Sequence, residues 1–94
     1  MDSAGIIIMG DKEEAVAAKD AGNAAFKKGD YEVALVSYDT AIKLESDNAV
    51  YIANKAMVHL KMKNWEQAET DCNQAVELDA KYAKVKLIFI SDHS

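Results

Sequence analysis

Small and apolar residues recur along this chain at spacings of three and four. Between Tyr31 and Leu44, the residues Ala34, Tyr38, Ala41 and Ile42 stand at i, i+4, i+7 and i+8, with Glu32, Ser37, Asp39 and Lys43 among them. That spacing lays the apolar positions along one helical stripe and leaves the charges on the rest of the surface. Ala68, Cys72, Ala75 and Val76 repeat the pattern between Trp65 and Leu78. Each stretch is preceded by another helical one, and no run alternates with the period of two that marks a strand. The pattern predicts helices near 13–28, 31–45, 49–62 and 65–79, with a short fifth beginning near 82.

The second half of the chain copies the first at an offset of 34. Tyr31 corresponds to Trp65, Glu32 to Glu66, Ala34 to Ala68, Ala41 to Ala75, Ile42 to Val76 and Leu44 to Leu78. Gly22 and Ala56 are also 34 apart, and a small residue at that place lets two helices approach closely. The turns Gly29-Asp30 and Lys63-Asn64 join each pair of helices into a hairpin. Asp30 and Asn64 each precede an aromatic and are expected to N-cap the helix that follows. This divides the chain into an N-terminal arm (1–12), expected to be flexible, two repeats within 13–82 (13–46 and 47–82), and a partial fifth helix with a divergent tail (83–94).

Composition agrees with an all-α fold: the 94 residues hold no proline and only four glycines. The net charge is −5, and all eleven basic residues are lysine. Without arginine and with an acidic balance, nucleic acid and anionic membrane surfaces are disfavoured partners. The apolar "GIIIMG" (5–10) is far too short to span a bilayer and lacks the basic region of a secretory signal. Cys72 is the single cysteine, so no internal disulfide forms. The chain is read as cytoplasmic.

The 34-residue register, the small residues at 22 and 56 and the alanines at 34, 41, 68 and 75 resemble the tetratricopeptide repeat. The resemblance covers roughly residues 15 to 82. It implies antiparallel helical hairpins stacked as a superhelix, two repeats and part of a fifth helix, with the first helix of each pair along a concave groove. The proline usual at each repeat end is replaced by Ser46 and Ala80, and the large residue expected in the second helix of each pair is Tyr38 in one repeat but Cys72 in the other.

One subfamily uses the groove as a carboxylate clamp for the C-terminal Glu-Glu-Val-Asp of the seventy- and ninety-kilodalton heat-shock chaperones. Lys19 and Asn23, four apart, match its first helix; Asn54, 31 residues after Asn23, matches its third; Lys84, 30 residues after Asn54, matches its fifth. The resemblance implies that Lys19, Asn23 and Asn54 hold the main-chain carboxylate and Lys84 the side-chain one, through charge-assisted hydrogen bonds. Phe26, one turn after Asn23, belongs either to the groove lining or to the hairpin core. The clamp's last basic position holds Ile88, so the clamp is partial.

Two other readings stand beside this adaptor. In one, the repeats are a scaffold fragment of a larger assembly and the clamp is vestigial. In the other, His59 and Cys72 carry a catalytic or ligand-binding role. The residues favour neither an enzyme nor a cofactor: there is no catalytic set, no metal-ligand spacing and no glycine-rich phosphate loop. His59 is expected in the core or groove wall, and Cys72 as a small buried hydrophobe. Two repeats leave apolar ends open, and the run Leu87 to Ile90 is β-prone, so self-association through these ends is expected.

Overall fold

Alanine and glycine set the distances between helices in this chain. A computed structural model describes residues 10–84, 86 and 87. They form α1 (Asp11–Lys28), α2 (Tyr31–Leu44), α3 (Ala49–Lys61) and α4 (Trp65–Leu78), then a 3₁₀ turn at Ala80–Tyr82. Ala83, Lys84, Lys86 and Leu87 are helical after that turn. Among the described residues there is no strand. The helix ends fall within two residues of those expected; α1 starts at Asp11 rather than 13. The apolar residues 5–9 and Ile88, Phe89, Ile90 and His93 lie outside the described residues.

α1 packs on α2, α3 on α4, and α2 stacks the first hairpin against the second. Ala34 and Ala41 of α2 and Ala68 and Ala75 of α4 are fully buried. With only a methyl group at these places the backbones approach closely, and larger groups fill the space between repeats. Tyr38, 2% exposed, and the fully buried Val58 join Ala25 and Ala34 in one cluster. Tyr51 of α3 packs with Ala15 of α1 and Ala41 of α2. Tyr82 leans on Ile52, Ala53 and Ala75, which docks the segment after α4 on the second hairpin.

The two hairpin turns are the same motif. The Gly29 N–H donates to Phe26 O and the Asp30 N–H to Ala25 O, at 3.0 and 2.9 Å. In the second turn Lys63 donates to Leu60 O and Asn64 to His59 O, at 3.1 and 2.8 Å. These pairs satisfy the last carbonyls of α1 and α3 and place one residue in the left-handed region. That residue is Gly29 in the first turn (φ 80°) and Lys63 in the second (φ 62°). Asp30 and Asn64 stand at the expected N-cap positions of α2 and α4, but neither makes the capping bond through its side chain. The Asn64 amide turns instead to His59 Nδ1, 3.3 Å away. α3 does receive a side-chain cap: Asn48 Oδ1 accepts the Val50 N–H at 3.0 Å.

Two substitutions with opposite signs test this packing. A Cβ on Gly22 would lie 2.6 Å from Tyr38 Cε1. Overpacking of that kind costs about 1–3 kcal/mol and outweighs the roughly 1 kcal/mol gained from helix propensity. Gly22→Ala is therefore expected to lower the stability in urea unfolding. Lys63→Gly relieves a side chain held at positive φ and is expected to raise it by about 0.5–1 kcal/mol.

Candidate functional site

Lys19 and Asn23 lie one turn apart on α1, among the buried Ala15, Gly22 and Ala25. Both are half-buried. Asn54, also half-buried, sits on α3 between Tyr51 at i−3 and Val58 at i+4. Those two neighbours share clusters with Ala15 and Ala25 of α1 and with Ala34, Tyr38 and Ala41 of α2, so their stripe faces the first hairpin. Lys19 and Asn23 thus lie on α1, and Asn54 on the stripe of α3 that packs against the first hairpin. Lys84 is exposed on the helical segment that begins after Tyr82. Phe26 belongs to the hairpin: it packs on the Ala25–Tyr38 cluster, and its ring lies 5.6 Å from that of Tyr31. Its remaining surface is half-buried beside the same α1 face.

Each polar group on this face has a definite state. The Lys19 ammonium is 3.2 Å from Asp20 Oδ1, and the side chain of Asp20 is 65% exposed. A surface pair of that kind is worth little, so the ammonium exchanges Asp20 for a better-placed anion at small cost. The Tyr38 hydroxyl donates to Asn23 Oδ1. Burial pushes the Tyr38 phenol up, which keeps it protonated. Chemically, the face offers one ammonium and two carboxamides, a set that suits a carboxylate.

A second polar cluster escaped the sequence reading. Lys55 of α3 is 3.0 Å from Asp39 of α2, an ion pair between repeats. Lys55, His59, Glu66, Gln67, Thr70 and Asp71 line a cleft of about 240 Å³. His59 and Asp71 are buried there, with His59 Nε2 3.8 Å from Asp71 Oδ2. That is too long for a hydrogen bond, and Asp71 Oδ2 has no partner among the described residues. Burial pushes the Asp71 carboxyl up, against the smaller opposing pull of Lys55, and pushes the His59 imidazole down. The spacing of His59 and Asp71 carries no signal of this meeting, because it depends on how the α3–α4 hairpin closes. Cys72 is fully buried, and its thiol is pushed up to about 11, chiefly by burial. Among the described residues no group of His, Cys, Asp and Glu suits a metal ion, and no helix is long and apolar enough to cross a membrane.

Comparison with known proteins follows this geometry. A family profile described as TPR repeat matches residues 22–63, and one described as Tetratricopeptide repeat matches residues 49–82. Hsp70-Hsp90 organizing protein 2 of Arabidopsis thaliana is 44% identical over 59 residues, 63% of this chain and 10% of that protein. The chain spans about a tenth of the length of the curated relatives it matches first. The Arabidopsis OM64 TPR domain superposes with a TM-score of 0.83 at 36% identity, covering 88% of this chain and 69% of that one. The second TPR of Spaghetti (RPAP3), solved bound to the HSP90 peptide SRMEEVD, gives 0.75 at 44% identity, covering 79% and 68%.

The buried acid yields a stability prediction. Asp71 has a raised folded-state value, so its ionised form weakens the fold at neutral pH. That penalty is relieved as pH falls toward the ordinary carboxylate value of 3.8. His59 runs the other way. Its folded value lies below the ordinary 6.5, so the stability it contributes is present above that pH and is lost as pH falls through the folded value. Asp71→Asn is expected to stabilise the chain at pH 7 by about 1 kcal/mol, the scale of an unsatisfied buried group. The gain should shrink toward pH 4.5, and urea unfolding at both pH values checks it.

Proposed function

The chain belongs to the tetratricopeptide-repeat family, and from that premise we propose that it is an adaptor module for acidic peptide ends. Its ligand class is the C-terminal Glu-Glu-Val-Asp of the seventy- and ninety-kilodalton heat-shock chaperones. Lys19, Asn23 and Asn54 take the main-chain carboxylate, Lys84 takes the aspartate side chain, and Phe26 borders the site. What supports this reading is that Lys19 and Asn23 stand one turn apart on α1, while Asn54 stands beside Tyr51 and Val58 of α3, which share clusters with Ala15 and Ala25 of α1. Similar domains were solved with peptides of this chemistry, SRMEEVD and SGPTIEEVD.

The role is binding without catalysis. A thiol near 11 is not a thiolate at neutral pH, and His59 faces Asp71 and Asn64 inside the hairpin. We place the module in the cytoplasm, where a single free thiol stays reduced. The clamp is partial because Ile88, which lies outside the described residues, stands where the resemblance asks for a second basic group.

Calorimetric titration with the peptide Met-Glu-Glu-Val-Asp tests the proposal. The free-carboxylate form is expected to bind, and the C-terminally amidated form to bind at least tenfold more weakly. Lys19→Ala and Asn54→Ala should each weaken the free form by about tenfold or more, since each removes a charge-assisted hydrogen bond of about 1.5–3 kcal/mol. Equal binding of both peptide forms, or parent-like binding by both variants, overturns it.

A further inference from the structure

An asparagine side chain is a good carboxylate ligand only in one orientation. Its Nδ2 donates and its Oδ1 accepts, and the two ends have nearly the same shape. An amide presenting Oδ1 to a carboxylate would repel it. Something in the fold has to choose the end of Asn23 that faces the groove.

The choice is made from the opposite side of the α1–α2 hairpin. Tyr38 is 2% exposed, and the Cδ1–Cε1–Cζ side of its ring occupies the space that a Cβ on Gly22 would take. That contact aims the hydroxyl at Asn23, the next residue along α1. Among the described residues Asn23 Oδ1 is the only hydrogen-bond partner of this hydroxyl. A phenol carries one proton, and here the only acceptor for it is Oδ1. The reverse orientation, with Nδ2 donating to the phenol oxygen, would strand the hydroxyl proton in the core.

We infer that Tyr38 is a positioning residue for the carboxylate site, which locks the Asn23 amide with Nδ2 toward the groove and uses Gly22 to reach it. This rests on the proposed peptide-binding role. Tyr38 touches no ligand itself; it acts through Asn23. The second repeat has no equivalent pair: 34 places after Asn23 and Tyr38 stand Met57 and Cys72, which pack with Ala56, Leu60 and Ala68. Preorganisation on one side of the site is therefore supplied by a single phenol.

The test combines a measurement without ligand and one with it. Side-chain ¹⁵N relaxation of Asn23 in the free protein should report a restricted amide, unlike that of the exposed Asn73. In Tyr38→Phe, which keeps the ring over Gly22, the Asn23 amide should move as freely as that of Asn73. Binding of the free-carboxylate peptide Met-Glu-Glu-Val-Asp should fall about fivefold in Tyr38→Phe, the scale of one neutral hydrogen bond. In an Asn23→Ala background the same substitution should cause no further loss. A merely structural role would weaken binding equally in both backgrounds, and that result overturns the inference. So does an Asn23 amide that is already mobile in the parent, a reading that stands even where Tyr38→Phe fails to fold. A parent that binds free and amidated peptides equally refutes the peptide-binding role, while a restricted Asn23 amide released in Tyr38→Phe still upholds the lock.

Discussion

The contact between the Tyr38 ring and the bare backbone of Gly22 is the constraint on which the rest of this structure depends. It fixes how far apart α1 and α2 lie, since the ring fills the space that a side chain on residue 22 would take. It brings Tyr38 into one cluster with Ala25, Ala34 and Val58, which ties the first hairpin to α3. It also delivers the phenol to Asn23. Packing and polar chemistry meet here in a single side chain, and the polar face of α1 inherits its geometry from the core beneath it.

The helices were legible because each buries a stripe of period 3.6 and the two halves share one register. That two-fold copy also made the hairpin turns legible, and Gly29 marked the first. The second turn was less plain, because a lysine occupies the left-handed position that glycine holds in its counterpart. Asp30 and Asn64 hold the N-cap positions that the sequence predicts, without the side-chain bond, and for Asn64 a tertiary contact accompanies its absence. His59, buried between α3 and α4, offers Asn64 a partner that sequence spacing does not reveal. The positions of Lys19, Asn23 and Asn54 followed from helix phase. The Tyr38–Asn23 bond did not, since it spans two helices and depends on their lateral register. The same holds for Asp39 with Lys55 and for His59 with Asp71.

Overall charge works against the proposed ligand. A chain with net charge −5 repels an acidic peptide at long range. Recognition in the proposed site therefore falls to short-range donors: the ammonium groups of Lys19, held loosely by Asp20, and of Lys84, with the Asn54 amide and the Asn23 amide whose orientation we assign to Tyr38. Salt acts on both parts, screening the Lys19 attraction and the long-range repulsion together. Hydrogen-bond geometry at Asn23 and Asn54 becomes the larger share of specificity. The Asp39–Lys55 pair bridges α2 and α3, and Lys55 also meets the His59–Asp71 cleft rather than adding to this donor set.

The central claim is that the Lys19–Asn23 face of α1 and the Asn54 stripe of α3, shaped by Tyr38 over Gly22, form the binding surface. Chemical-shift mapping of the ¹⁵N-labelled chain with a free-carboxylate Glu-Glu-Val-Asp peptide tests it most directly, because it locates the ligand without altering the protein. Saturable shifts are expected, centred on the backbone of Lys19 and Asn23, the side-chain amides of Asn23 and Asn54, and the backbone of Lys84. Shifts confined to the α2 and α4 surfaces, around Val36 or Thr70, would contradict it.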